Sequence, residues 1–398
     1  MPANSESSDP IVIAGSARTP IGALLGELSG QSANELGAVA VRAALERSGV
    51  KDEDVDQIVM GCVLPAGQGQ APARQAALKA GLPMSVEATT LNKMCGSGMQ
   101  AVILARGAIL AGDADVIVAG GMESMSNAPH MLPRHRTGVK YGHDKVVDHM
   151  ACDGLEDAYE GKAMGVYADM IAQERQLTRE AQDAYALETL SRAQRASEDG
   201  AFASEIVPVK VKTRKGEESI SSDELPRLAR PEKIPSLRPA FSADGTVTAA
   251  NASAISDGAS AMVLMRLSTA ERLGVTPEAK IVATAAHAHE PAYFTTAPGP
   301  AMAKALEKAG WKAADVDLFE VNEAFAVVPM LAMAELSVPH DVVNVNGGAC
   351  ALGHPIGASG ARIMATLLGA MKARDAKRGL ASLCIGGGEA TAVALERM

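Results

Sequence analysis

The feature that most constrains this chain is that it repeats itself. Ala44-Leu45-Glu46-Arg47-Ser48-Gly49-Val50-Lys51-Asp52-Glu53-Asp54-Val55-Asp56 aligns without gaps on Ala305-Leu306-Glu307-Lys308-Ala309-Gly310-Trp311-Lys312-Ala313-Ala314-Asp315-Val316-Asp317. In each copy an amphipathic helix closes on a glycine and an Asp-Val-Asp turn feeds an apolar strand, at 57–62 and again at 318–321. A second match follows at similar spacing. Ser97-Gly98 opens an apolar helix over 97–111, followed by a strand over 116–119 that ends in Gly120-Gly121. Ser359-Gly360 opens a helix to about residue 374, followed by a strand over 380–385 and by Gly386-Gly387-Gly388. The repeat predicts an α/β protein of two similar halves with buried strands and covering helices.

Residues 127–250 have no counterpart and change character, being rich in charge, histidine, methionine and proline. They hold one amphipathic helix, at 179–199, between looser segments, and read as a large insertion over one face of the paired halves. Small apolar residues return over 247–266 and rejoin the first half. The expected organisation is a first half at 1–126 and 251–276, an insertion at 127–250, and a second half at 277–398.

Five cysteines, Cys62, Cys95, Cys152, Cys350 and Cys384, form no C-x-x-C pair, which argues for reduced thiols in a cytoplasmic protein rather than a disulfide framework or zinc ribbon. A net charge of −10 disfavours nucleic acid as a partner. Residues 1–10 are polar and acidic and read as a disordered tail rather than a signal peptide, and no apolar stretch approaches the roughly 20 residues of a membrane span. An anionic substrate needs a local basic patch. Lys210, Lys212, Arg214, Lys215, Arg227, Arg230 and Lys233 supply a candidate, with Arg227 the preferred contact.

Cys95 lies between the strand-like 88–91 and the helix that starts near Ser97. Helix N-terminal amides at such a turn favour a thiolate, although the segment by itself also fits an inert buried thiol. His354 stands in a dense run of glycine just before the second Ser-Gly helix, a place equivalent to that of Cys95, so the two can converge across a pseudo-twofold axis. Cys384 ends a predicted strand, and Asn322 ends the duplicated strand near the same edge. His287 and His289 form an H-x-H pair without further ligands, so no metal is expected. His130, His135, His143 and His149 read as surface or loop residues, and Cys350 as a small buried apolar one.

Asn-Lys-Met-Cys-Gly-Ser-Gly-Met-Gln-Ala at 92–101, Asn-Glu-Ala-Phe-Ala at 322–326, Gly-His-Pro-Ile-Gly-Ala-Ser-Gly at 353–360 and Cys-Ile-Gly-Gly-Gly at 384–388 resemble, in order, the four signature segments of thiolases. The resemblance implies two βαβαβαββ halves in a five-layer αβαβα core, an inserted loop domain, and a homo-oligomer of two or four chains. It implies reversible Claisen condensation and thiolysis of acyl-CoA thioesters, with coenzyme A as substrate and product and no cofactor. Cys95 would carry the acyl group, His354 would activate it, and Cys384 would be the acid/base. His354 and a water held by Asn322 would meet the enolate oxygen, and the amides of Cys95 and Gly386 the tetrahedral oxygen. Ser253, Ala249, Leu237, Met164 and Phe325 would line the pantetheine path.

Two positions depart from the pattern. Ala163 stands where many acetoacetyl-CoA-forming members have histidine, which points towards a longer-chain degradative thiolase as an alternative. Glu389 follows the glycine run where the family often has an uncharged residue. A superfamily synthase is disfavoured by Cys384, and an idle acyl-CoA or lipid binder by the joint presence of Cys95, Asn322, His354 and Cys384.

Overall fold

The computed structural model describes residues 9–214 and 216–398, so the expectations for residues 1–8 of the tail and for Lys215 fall outside the described residues. The core strands are β1 (Ile11–Arg18), β2 (Gln57–Gly61), β3 (Glu87–Leu91), β4 (Val116–Ser124), β5 (Ser256–Arg266), β6 (Ala279–Ala288), β7 (Leu318–Val321), β8 (Arg378–Ile385) and β9 (Glu389–Arg397). The longer helices are α1 (Ala33–Ser48), α2 (Pro72–Lys79), α3 (Ser97–Ala111), α4 (Met164–Glu174), α5 (Arg179–Glu198), α6 (Pro298–Ala309), α7 (Val327–Leu336) and α8 (Ser359–Ala373).

The duplication holds in three dimensions. Gly49 at φ 73° and Gly310 at φ 69° close α1 and α6 in the left-handed conformation that an L side chain resists. The strands follow one path, β7-β8-β9-β6-β1-β5-β4-β2-β3, in which each half uses the same order. The halves meet edge to edge where Val12 and Ile13 of β1 pair antiparallel with Lys280 and Ala279 of β6. One strand of the second half is reduced to a single parallel bridge between Phe319 and Val343. The next residue, Asn344, has φ 49°, and its side-chain amide bonds Val321 N–H and C=O at 2.8 Å each, so a side chain takes over from the backbone ladder.

Alternation within the strands builds the five layers. Val116 and Val118 of β4 face a core shared with Leu36, Val41 and Leu45 of α1 and Ala73, Ala76 and Ala77 of α2. Ile117 and Ala119 face the other way, into a core that α3 and α8 share with Leu383 of β8 and Val393 of β9. Leu380 and Ala392 face the outer helices α6 and α7. The result is α1/α2, sheet, α3/α8, sheet, α6/α7, with α8 buried nearly all round as a central helix must be. Residues 94–111 are apolar and long enough to cross a membrane, but this stretch contributes α3 to the central layer.

Two sequence expectations need correction. β4 does not stop at Gly120-Gly121 but runs to Ser124. A Cβ on Gly120 would lie 2.1 Å from Ser260 O, and one on Gly121 2.0 Å from Gly357 O, so these glycines admit neighbouring backbone rather than end a strand. The insertion also holds α4 besides α5, together with a hairpin of Val209–Thr213 and Gly216–Ile220. Helix α4 is tied to the loop before β5 through Asp169, whose Oδ1 accepts Thr246 and Val247 N–H at 2.8 Å each.

The insertion is pinned to β1 by Arg18, which is fully buried. Its guanidinium meets Asp223 through two bonds of 2.7 and 2.9 Å and Glu205 Oε1 at 2.7 Å. Removing the cation would strand two buried carboxylates. Arg18→Ala is therefore expected to cost about 3–5 kcal/mol, read as a lower urea midpoint in equilibrium unfolding; an unchanged midpoint would refute this role.

Candidate active site

Cys95 is presented by the turn between β3 and α3. Asn92 Oδ1 accepts Met94 N–H at 2.8 Å, and Ser97 Oγ accepts Lys93 N–H at 2.8 Å while donating to Met94 O at 2.6 Å. These bonds hold Met94 at φ 47°, an uncommon conformation for a residue with a side chain. The next residue, Cys95, is half-buried on the wall of a cavity of about 470 Å³. Burial pushes its thiol up to about 11; the backbone N–H groups of Gly386 and Cys95 act against this, and the charge of Glu123 adds to it.

Cys384, at the end of β8, is buried beside the same cavity. Burial lifts its thiol well above the ordinary range, and the neighbouring Cys95 lifts it further. Two thiolates this close repel each other, so ionisation of one opposes ionisation of the other.

His354 reaches the cavity from the second half. Its Nδ1 lies 2.6 Å from Ser359 Oγ, which lies 3.0 Å from Pro355 O. The serine has one proton and spends it on the carbonyl, so it accepts from His354 Nδ1–H. Nε2 then carries the lone pair, and it has no partner among the described residues. Burial, reinforced by Arg362, pushes the imidazole down to about 3, so it is neutral at physiological pH.

Gly386, Met164, Ala249, Ser253 and Phe325 line this cavity with Cys95, His354 and Cys384. Asn322 does not reach the lining. It is buried behind it, with Oδ1 3.5 Å from Arg362 Nη2 and Nδ2 without a partner among the described residues. Leu237 lines an adjoining cavity of about 320 Å³ that shares Ala249 and Ala254 with the first and includes Arg230 and Lys233. Arg227, the preferred basic contact, lines neither cavity: its Nη2 is 2.6 Å from Glu27 Oε2. Lys210 likewise pairs with Glu217 on the insertion hairpin.

Glu389 forms an ion pair with Lys93, so its charge is met two residues from Cys95. Ala163 is part of the cavity wall. His149 departs from the surface role expected of it: it is buried, with Nδ1 2.6 Å from Asp153 Oδ2 and Nε2 3.4 Å from Ala66 N. Cys350 donates its N–H to Glu323 Oε2 at 3.0 Å. His287 and His289 touch at 3.3 Å, and no group of three or more potential metal ligands forms among the described residues.

Sequence reasoning passed over Ser359, Arg362 and Glu123. Ser359 was legible as the hydroxyl that opens the helix five residues beyond His354. Arg362 lay inside the helix that Ser359-Gly360 opens, where no local pattern marked it. Glu123 is a lone acid within an apolar strand, a signal in itself because buried carboxylates are rare without partners. Chemically, the cavity offers two thiols, a neutral imidazole with a free lone pair and two amides aimed at the Cys95 sulfur. Those are the parts of acyl transfer through a thioester.

The comparisons with known proteins agree with this geometry. The family model described as thiolase, N-terminal domain, matches residues 11–268, and that described as thiolase, C-terminal domain, matches residues 275–397. An acetyl-CoA acetyltransferase of Rhizobium meliloti is 52% identical over 393 residues, covering 98% of this chain and 100% of that protein. One from Shinella zoogloeoides is 49% identical over 392 residues, with 98% and 100% covered, and one from Schizosaccharomyces pombe is 46% identical over 390, with 98% and 99% covered. A repeated α/β core, a thiol of the first half facing an imidazole and a second thiol from the other half, and matches spanning nearly every residue lead to one conclusion: the chain belongs to the thiolase family.

Proposed function

We propose that this protein transfers acetyl groups between coenzyme A thioesters, joining two acetyl-CoA into acetoacetyl-CoA and CoA and catalysing the reverse thiolysis. The observation that carries this reading is the convergence of Cys95, Cys384 and the free Nε2 of His354 on one largely apolar cavity. The names of the relatives favour acetyl transfer over the longer-chain alternative suggested by Ala163.

In the first half-reaction His354 Nε2 takes the Cys95 proton as the sulfur attacks the acetyl carbonyl. The tetrahedral oxygen forms close to the amides of Cys95 and Gly386. Collapse expels CoA, which takes the proton from His354, and leaves acetyl-Cys95. Acylation turns Cys95 into a neutral thioester and so removes its repulsion of a Cys384 thiolate. Cys384 then passes its proton to His354 Nε2 and, as a thiolate, takes the α-proton of a second acetyl-CoA. The enolate, met by the Nε2–H of His354 and by a water on Asn322 Nδ2, attacks the acetyl carbon, and Cys95 leaves as thiolate and takes that Nε2 proton from His354. Met164, Ala249, Ser253 and Phe325 border the pantetheine arm, with Leu237 further along. By the resemblance, the chain works as a homo-oligomer of two or four copies, and its unpaired cysteines support a place in the cytoplasm.

The test is thiolysis of acetoacetyl-CoA and of a longer 3-ketoacyl-CoA by free CoA, followed as loss of ketoacyl absorbance. Cleavage of acetoacetyl-CoA is the expected result. Cleavage of the longer substrate alone would overturn the acetyl assignment, and inactivity on both would overturn the reaction.

A further inference from the structure

We propose that Glu123 is a positioning residue that holds the Cys95 and His354 loops in register by binding both to one carboxylate. The proposal rests on the roles given above to Cys95 and His354.

Glu123, on β4, is fully buried. Its Oε2 accepts Val63 N–H and Gly357 N–H at 2.9 Å each, and its Oε1 accepts Leu64 N–H at 3.2 Å and lies 3.6 Å from the Cys62 thiol. Val63 and Leu64 form a small core with Met125 and Ile356, against which Met94 and Cys95 pack. Gly357 lies in the segment that begins with His354 and ends at Ser359, the hydroxyl that fixes the imidazole. The carboxylate thus ties the support of the nucleophile, from the first half, to the loop of the base, from the second.

The fit is close. A Cβ on Gly357 would lie 2.5 Å from Glu123 Oε2, and one on Gly121 2.0 Å from Gly357 O, so the His354 loop rests directly on β4.

The fold alone does not call for an acid here. Gln57 and Leu318 are equivalent in the repeat, and their parallel partners are Ile117 and Gly379. Counting along β4 and β8 from those partners sets Met122 opposite Cys384 and Glu123 opposite Ile385. The second half fills the same register with an apolar side chain. Burying a carboxylate costs free energy unless donors converge on it, and here three amides do. No cation forms an ion pair with Glu123 among the described residues, and the titratable groups facing it are Cys62 and Cys95.

The experiment is acetoacetyl-CoA thiolysis by the full chain and by Glu123→Gln, whose amide can accept on one side only and sets an NH2 against backbone N–H donors on the other. A lapse of about an ångström in the reacting geometry predicts a fall in kcat of about 10²-fold. KM is expected to change by less than about threefold, because Glu123 does not line the cavity. In a His354→Ala background the same substitution is expected to cost less than about threefold, since a residue acting through His354 has nothing left to position. A native kcat in Glu123→Gln, or the full loss repeated in the His354→Ala background, would overturn the proposal. If Glu123→Gln does not fold, Glu123→Asp decides, with a kcat about tenfold down at unchanged KM expected and a native kcat overturning. An inactive native protein would instead defeat the proposed function.

Discussion

Cys95→Ala is expected to lower both condensation and thiolysis by at least ~10⁴-fold, because the route through a covalent intermediate disappears with the sulfur. The fold should survive, since Cys95 is only half-buried at the cavity wall and alanine creates no buried charge or orphaned donor. Intact-protein mass spectrometry checks the chemistry directly: acetyl-CoA should add one acetyl group to the native chain and none to the variant. A second readout uses the thiol itself. With Cys95 pushed up to about 11, its thiolate fraction keeps rising through pH 8–10, where an ordinary thiol already levels off. Carboxamidomethylation of Cys95 in the free enzyme should therefore climb over that whole window. A variant with a rate within tenfold of native would show that the acyl group does not travel through Cys95.

Cys384→Ala is expected to reduce condensation by about 10²–10⁴-fold, the range for losing a positioned general base. Acetylation of Cys95 by acetyl-CoA should continue, because His354 rather than Cys384 supplies the base for that half-reaction. The two cysteine variants then differ in kind: one cannot be loaded, and the other loads but cannot pass the acetyl group to a carbon. Loss of the Cys384 thiol also removes a group that Cys95 repels when ionised, so loading has no electrostatic reason to slow. Native-rate condensation by Cys384→Ala would refute its role as base, and a failure to acetylate Cys95 would place Cys384 in the first half-reaction as well.

Much of this site was readable in one dimension because the duplication converts sequence position into spatial position. The turn before α3 presents Cys95 and the loop before α8 presents His354, and two halves with the same strand order bring those places together. Local rules sufficed for the helix-closing glycines at 49 and 310, since a helix C-terminus and its left-handed glycine are set within a few residues. The same rules misplaced the end of β4. A glycine that turns the chain and a glycine that lets another strand lie against it look alike in sequence, and only the presence of Ser260 O and Gly357 O distinguishes them.

The sequence by itself determined the repeated α/β architecture, the insertion within its first half, and the choice of Cys95, His354 and Cys384 as candidate site residues. Each of these rests on short-range pattern: strand and helix periodicity, glycine punctuation and the order of four segments. Tertiary structure alone decided which charges are spent on partners and which are free. Arg227 faces Glu27, 200 positions away in the chain, instead of the cavity. Glu389 is met by Lys93, and Glu123 gathers amides from residues 63, 64 and 357. Hydrogen bonds and ion pairs act over a few ångströms, and no periodicity encodes which distant residues fall within that reach once the layers have packed.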